Sequence, residues 1–162
     1  MRYLALILTV IVAAALIINL TGSDSPARIA PPLPRTALVG QPTSLGTLRG
    51  APALIAFFAS WCGPCEREAP VLATAARRLR GRARLVAIDW TDNRHDGLVF
   101  VKRYRWSFAV LSDPQGTVGY AYRIAGLPTS FVLDARGRIV SRLIGPQTLT
   151  ALLRAVREAA RE

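Results

Sequence analysis

The sequence predicts an α/β fold in which helices flank a central mixed β-sheet. Apolar runs of strand length alternate with segments whose apolar residues recur at helical spacing. Two later apolar runs are separated by only four residues, which is typical of an antiparallel hairpin. Of the 162 residues, the roughly 140 that follow Leu20 suffice for one compact domain.

The chain begins with an apolar segment. Tyr3 to Leu20 is an uncharged run of 18 residues, which as a helix spans about 27 Å, close to the hydrocarbon thickness of a bilayer. A cleaved signal peptide is the alternative, but the Ala-x-Ala site at Ala13 to Ala15 lies inside the apolar run rather than after it. We therefore expect residues 1–20 to form a single uncleaved transmembrane helix. The flanking positive charges are tied, so the extracytoplasmic placement of the domain in a bacterium rests on the short N-terminal tail.

Residues 21–35 are predicted to form a tether, because they are rich in Pro and Ser and lack apolar periodicity. The domain itself is then expected to occupy residues 36–162. At its start, Thr36 to Val39 and Gln41 to Leu45 lie on either side of Gly40 and predict an N-terminal β-hairpin extension.

The next segments build the sheet. Leu54 to Phe58 predicts a buried strand, Cys65 to Arg80 an amphipathic helix and Arg84 to Trp90 a second strand. This order makes a parallel unit with a right-handed crossover. The remaining predicted elements are a helical patch near Asp96 to Tyr104, strands at Ala109 to Leu111, Thr129 to Asp134 and Ile139 to Leu143, and a closing helix from Thr148 to Arg161 with Thr148 as its N-cap.

The charge is strongly positive but spread out. The formal net charge is +11, and all of the 21 basic residues except Arg2 are scattered from Arg28 to Arg161. A solvated surface is the plain interpretation, although such a field also attracts anionic lipid headgroups or acidic partners. No basic stripe is interleaved with aromatic residues, so binding of nucleic acid is not predicted.

Only two cysteines are present, Cys62 and Cys65. A disulfide scaffold requires more pairs, and a structural zinc site requires four ligands, for which the chain offers a single histidine besides carboxylates. We therefore predict no metal and no other cofactor. The two cysteines are expected to act together.

Their position predicts thiol chemistry. A strand leads into residues 61–65 and a helix begins there, so the sulfur of Cys62 faces free backbone N–H groups and the positive end of the helix dipole. Cys62 is therefore the expected nucleophile. Cys65, one turn further on, is the expected resolving thiol, and Gly63 and Pro64 fit a tight first turn.

These residues carry a family resemblance. Residues 57–65, Phe-Phe-Ala-Ser-Trp-Cys-Gly-Pro-Cys, resemble the active-site segment of thioredoxins, and residues 65–70 resemble the membrane-anchored TlpA/ResA-like branch, which includes thioredoxins of cytochrome c maturation. Gly-Leu-Pro-Thr at 126–129 is similar to the cis-proline segment of the family, and Pro70 matches the proline of its first helix. The resemblance implies a thioredoxin fold over roughly residues 36–159.

The resemblance also implies a substrate site. Pro128 is expected to be cis and to lie against the cysteine pair, with the backbone near Leu127 binding an extended substrate segment. A packing role for Trp61 and Leu127 is the alternative. The expected substrate-binding residues are Trp61, Gly63, Pro64, Leu127, Pro128 and Thr129.

One position departs from thioredoxin. Ala56 stands where thioredoxin carries a buried acid that helps to deprotonate the second cysteine. Glu68, one turn beyond Cys65, matches an acid of the TlpA/ResA-like branch and is the expected catalytic substitute; a solvated charge at the helix N-terminus is the alternative for it and the simpler interpretation of Glu66. His95, Asp89 and Asp92 are expected to be loop and strand-end residues.

The sequence therefore predicts a protein-disulfide reductase that works by thiol-disulfide exchange outside the cytoplasm. Its expected partners are thiol or disulfide proteins, among them apocytochrome c, and a membrane protein that supplies electrons. Gly-Pro between the cysteines resembles the reducing thioredoxins and favours reduction. The alternatives are a thiol peroxidase and a copper-delivery protein.

Overall fold

The computed structural model describes residues 28–162. The predicted transmembrane helix, residues 1–20, and residues 21–27 of the predicted tether lie outside this range. Among residues 28–162, each helix is too short or too polar to cross a membrane. The elements in chain order are β1 (Arg28–Ile29), β2 (Ala37–Val39), α1 (Leu45–Leu48), β3 (Ala53–Phe58), α2 (Gly63–Leu79), β4 (Arg84–Trp90), α3 (Arg94–Arg103), β5 (Ala109–Asp113), α4 (Thr117–Ala121), β6 (Thr129–Leu133), β7 (Arg138–Ile144) and α5 (Leu149–Ala159).

The strands form one mixed sheet in the order β1-β7-β6-β3-β4-β5-β2. β3, β4 and β5 are parallel neighbours, and every other pairing is antiparallel. The carboxyl ends of the three parallel strands therefore meet at one edge, which we name the upper edge. Their amino ends, at Ala53, Arg84 and Ala109, define the lower edge. The predicted mixed sheet flanked by helices is confirmed.

Each face of the sheet carries its own core, because successive residues of a strand point to opposite faces. Leu54 and Phe58 of β3 are buried with residues of α2, α3 and α5. Ile55 and Phe57 are buried on the other face, together with Leu48 of α1. All six residues of β3 are buried, so the strand that leads into the cysteine pair is fixed from both sides.

The prediction of an N-terminal β-hairpin is wrong. Ala37–Val39 is a strand, but it pairs with β5 at the sheet edge rather than with the residues that follow Gly40. Those residues turn away because Pro42 lacks the N–H that a strand ladder needs. Ser44 then caps α1 through a reciprocal capping box with Thr47.

The described part of the predicted tether also belongs to the domain. Arg28–Ile29 pairs with β7, and Ala30 and Leu33 are buried in the second core. The folded domain therefore includes residues from Arg28 onward, not only from Thr36. Prolines alone do not distinguish a free tether from a segment whose apolar residues pack between them.

The other predicted elements are present within two residues of their expected bounds, and Thr148 caps α5 as predicted. Two helices were not predicted, α1 of four residues and α4 of five. Such short helices are too brief for apolar periodicity to appear in the sequence.

Candidate active site

Cys62 and Cys65 form a disulfide at the start of α2, with a Cα–Cα distance of 5.2 Å. Cys62 is the N-cap of this helix, and its Sγ accepts a hydrogen bond from the backbone N–H of Cys65 at 3.2 Å. Backbone N–H groups and the helix dipole stabilise negative charge on a sulfur in this position. The geometry therefore favours a thiolate at Cys62 once the disulfide is opened.

The residue before the cysteines is exposed. Trp61 keeps 60% of its surface accessible although its indole Nε1 donates to the carbonyl of Thr91 at 3.2 Å. Gly63 is exposed and Pro64 is half-buried. A large apolar side chain held in place at the surface beside a reactive pair offers contact area to an incoming chain.

The segment at 126–129 lies at the same edge of the sheet. The Leu127–Pro128 bond is cis, as the resemblance implied. Thr129 pairs with Phe57 near the end of β3, and Leu127 packs against the core cluster that contains both cysteines. The segment is tied down by hydrogen bonds from Thr129 Oγ1 to Gly126 O at 2.8 Å and from Gly145 N to Pro128 O at 2.9 Å.

Glu68 is almost completely buried one turn after Cys65, with 2% of its surface exposed. Its Oε1 accepts a hydrogen bond from the backbone N–H of Gln147 at 2.9 Å. Burial disfavours the charged form more than this bond favours it, and the pKa of Glu68 is raised to about 7. Glu68 is therefore not a solvated helix-terminus charge, whereas Glu66 is half-buried and pairs with Arg103 at 3.4 Å.

Asp89 is a second buried acid near the site, which the sequence indicated only as a strand-end residue. Asp89, at the upper end of β4, is completely buried, and within residues 28–162 neither of its side-chain oxygens receives a hydrogen bond. Burial and the charge of Asp92 raise the pKa of Asp89 to about 8, so at neutral pH Asp89 holds its proton in most molecules. A side chain at Gly97 would collide with this carboxyl group.

Asp92 links this acid to the active-site turn. Its Oδ2 accepts from the backbone N–H of Ser60 at 2.5 Å, and its Oδ1 accepts from the N–H of Asn93 at 2.8 Å. Ser60 lies two residues before Cys62. The signal in the sequence was a single acid inside the apolar run of β4, a position where an unpartnered charge is costly. His95, by contrast, is exposed.

The chain is similar to a known protein family and to curated thiol-disulfide oxidoreductases. A family model described as the AhpC/TSA family matches residues 26–142. The chain is 32% identical over 114 residues to the thiol-disulfide oxidoreductase ResA of Bacillus cereus, which covers 70% of this chain and 66% of that protein. It is 37% identical over 91 residues to the thiol:disulfide interchange protein DsbE of Xylella fastidiosa, which covers 56% of this chain and 45% of that protein.

Among solved structures, a thiol:disulfide interchange protein of the thioredoxin family from Chlorobium tepidum TLS superposes with a TM-score of 0.74 at 27% identity. The superposition covers 85% of this chain and 99% of that one. The predicted thioredoxin fold is thereby confirmed. The chain spans 45% to 66% of the length of the two curated relatives named above.

Proposed function

This chain belongs to the AhpC/TSA family, and from that premise we propose that it is a thiol-disulfide oxidoreductase that reduces protein disulfides through Cys62 and Cys65. The observation that carries the proposal is the cysteine pair closed as a disulfide at the amino end of α2, with the sulfur of Cys62 bonded to a backbone N–H. The printed names of the relatives, an oxidoreductase and an interchange protein, support the same reaction.

The reaction begins from the dithiol. The thiolate of Cys62 attacks one sulfur of a substrate disulfide, the substrate S–S bond breaks, and one substrate sulfur leaves as a thiolate that takes up a proton. Cys65 then loses its proton and attacks the Cys62 sulfur. The mixed disulfide breaks, the second substrate thiol departs, and two electrons have passed from the cysteine pair to the substrate. The Cys62–Cys65 disulfide remains, the state that the structure holds.

The surroundings of the pair support a protein substrate. Trp61 is exposed on one side, and the segment of cis-Pro128 lies at the same sheet edge. An extended chain that carries the target disulfide would lie between them, in contact with Trp61, Pro64 and Leu127. The resemblance to the TlpA/ResA-like branch, which includes thioredoxins of cytochrome c maturation, makes apocytochrome c a proposed substrate class.

The first prediction tests the activity. A protein that starts at Arg28, so that β1 and the buried Ala30 and Leu33 are kept, should catalyse the reduction of insulin by dithiothreitol. Turbidity from the released insulin B chain should appear earlier than with dithiothreitol alone. Cys62→Ser is the control and should abolish the acceleration, because it removes the nucleophile. Equal onset times with and without the parent protein would refute the reductase activity.

A thiol peroxidase is the second candidate, because the family model that matches is named for AhpC and TSA. Peroxide would then oxidise Cys62 to a sulfenic acid, and Cys65 would close the disulfide with loss of water. Measuring the consumption of hydrogen peroxide by the same protein sample distinguishes a peroxidase from a disulfide reductase. Loss of peroxide at a rate that matches disulfide formation in the parent, and none in Cys62→Ser, would favour the peroxidase.

We further propose that residues 1–20 anchor the chain as a single transmembrane helix and that the domain lies outside the cytoplasm. The uncharged apolar run from Tyr3 to Leu20 is long enough to span a bilayer and supports the anchor. Reduction in that compartment requires a membrane protein that passes electrons across the bilayer to the cysteine pair. That donor is part of the same proposal.

The second prediction concerns this topology. Alkaline phosphatase fused after Glu162 should be active in a bacterial host, and green fluorescent protein fused at the same point should stay dark, because each reporter works on one side of the membrane only. The paired fusions serve as controls for each other. An inactive phosphatase fusion together with a fluorescent green fluorescent protein fusion would show that the domain lies in the cytoplasm and would contradict the proposed orientation.

A further inference from the structure

Exposed arginines gather at the lower edge of the sheet. The stretch from the last turn of α2 to the start of β4 contains five arginines within eight residues, and each side chain is exposed. Others reach the same edge from the segment that precedes β3 and from the turn between β6 and β7, where the backbone N–H of Gly50 bonds to Ala135 O at 2.9 Å. The lower-edge arginines are Arg28, Arg49, Arg77, Arg78, Arg80, Arg82, Arg84 and Arg136.

The acids lie mostly at the other end. From Ala69 to Ile88 the chain has no acid at all. Asp134, near the lower edge, is buried and paired with Arg138 at 2.6 Å, and Glu158 and Glu162 share the end of α5 with basic residues. The described acids at or near the upper edge are Glu66, Glu68, Asp89, Asp92, Asp96 and Asp113. The lower edge therefore carries an excess of exposed positive charge.

The chain enters the domain at the basic end. In the sheet register, Ala53 at the lower end of β3 is opposite Leu133, Leu133 is opposite Ile139, and Ile139 is opposite Arg28. Arg28 is thus at the lower edge. The seven residues between Leu20 and Arg28 reach less than about 30 Å even when fully extended. An anchor at residues 1–20 would hold this end close to the bilayer.

The lower edge also contains a cleft of about 460 Å³. Arg80 and Arg84 line it, together with the hydroxyl-bearing residues Thr43, Thr47 and Ser107, and no acid contributes to its wall. Guanidinium and hydroxyl groups donate hydrogen bonds, and phosphate oxygens accept them. The lining of the cleft is therefore suited to a phosphate group.

We propose that the lower edge docks onto anionic phospholipid headgroups, with the cleft between Arg80 and Arg84 accepting a headgroup phosphate. The inference depends on the proposed membrane anchor. Docking in this orientation directs the upper edge, with Cys62, Trp61 and the cis-Pro128 segment, away from the bilayer. The active site then faces protein substrates rather than lipid.

The expected size follows from surface electrostatics. Each arginine near an anionic membrane changes the docking equilibrium about fivefold, so removal of three lower-edge charges should lower the ratio of docked to free domains about 10²-fold. The attraction is confined to a Debye length, which is about 8 Å at physiological ionic strength and about 3 Å in 1 M salt. High salt should therefore release the domain without extracting the anchor.

The third prediction uses the full chain in vesicles of phosphatidylcholine, with or without phosphatidylglycerol as the anionic lipid. A fluorophore is attached through Glu162→Cys while the native pair is kept as a disulfide. Quenching by a lipid with a nitroxide on its headgroup, which requires contact, should be strong only with phosphatidylglycerol and should disappear in 1 M NaCl.

Matched variants locate the surface. The triple variant Arg80→Gln, Arg82→Gln and Arg84→Gln should lose the quenching. Three exposed cations of α2 and α3 away from the lower edge provide the same charge change and should leave the quenching unchanged; they are replaced as Arg67→Gln, Arg94→Gln and Lys102→Gln.

Two failures are distinguishable. A chain that alkaline carbonate removes from both kinds of vesicle overturns the anchor and, with it, the docking. A carbonate-resistant chain with equal quenching in both kinds of vesicle, or with equal loss in the two triple variants, overturns the docking alone.

Discussion

Cys65→Ser is expected to stop the reaction halfway and to accumulate a mixed disulfide between Cys62 and its protein substrate. Cys62 is the N-cap of α2 and its sulfur is bonded to a backbone N–H, so it can still attack as a thiolate. Release requires a second sulfur within reach, and among residues 28–162 only Cys65, at a Cα–Cα distance of 5.2 Å, supplies it. The trapped species should run as a heavier band on a non-reducing gel, and dithiothreitol should separate it into the two free proteins.

The matched control is Cys62→Ser, which should trap nothing, because the sulfur that the backbone N–H at the helix N-terminus stabilises as a thiolate is that of Cys62. Both variants lack the same disulfide, so any loss of stability is shared between them. Trapping by Cys62→Ser in place of Cys65→Ser would exchange the two roles. The band cut from the gel would also identify the substrate, since peptides of both partners are present.

The region around the cysteines could be predicted because its signals are local. The strand, the turn and the helix follow one another within β3 and α2, and the pair stands where they join. Apolar runs and helical spacing operate over about ten residues, so they place these elements within two residues. The cis bond before Pro128 required the family resemblance, since most X-Pro bonds are trans.

The misplaced elements depend on contacts between distant residues. β2 has no partner next to it in the chain; its partner is β5, about seventy residues later. A local pattern around Gly40 predicts a hairpin, and only the tertiary structure shows the edge pairing. Likewise, Arg28–Ile29 forms a strand because it pairs with β7 at the edge of the sheet.

The buried acids show the same limit in the candidate site. The family resemblance singles out Glu68, one turn beyond Cys65, but its hydrogen-bond partner is the backbone N–H of Gln147, which comes from just before α5. Asp89 is enclosed by Phe58 of β3, Ser112 of β5 and Gly97 of α3. Because desolvation requires neighbours from several elements, no window of sequence reports a raised pKa.

Glu68→Gln is expected to slow the release of the mixed disulfide about 10²-fold at pH 8, the low end of what a positioned acid or base contributes. The pKa of Glu68 is raised to about 7 by burial, so at pH 8 most molecules hold a carboxylate that can take the proton of Cys65. Below about pH 6 the parent is also neutral at this position. The two proteins should therefore converge at low pH, and the inflection near pH 7 should be absent from the variant.

The control is Glu66→Gln in the same turn of α2. Glu66 is half-buried and pairs with the exposed Arg103, so the loss of its charge should change the rate little at any pH. Single-turnover release from a trapped substrate, measured from pH 5 to pH 9, gives both profiles. Parallel profiles for Glu68→Gln and the parent would leave Glu68 without a part in proton transfer.

Glu68→Gln should lower the rate of release but raise the free energy of unfolding at pH 8. The pKa of Glu68 is higher in the folded chain than its ordinary value of 4.5, so the proton favours folding; this stabilisation is fully present below pH 4.5 and is lost as the pH rises to about 7. The loss is about 3 kcal/mol. Glutamine can still accept the N–H of Gln147 but carries no charge, so Glu68→Gln should be more stable than the parent at pH 8 in urea unfolding. A slower enzyme that is also more stable cannot owe its lower rate to unfolding, and a variant less stable than the parent at pH 8 would contradict the assigned cost of burying this carboxylate.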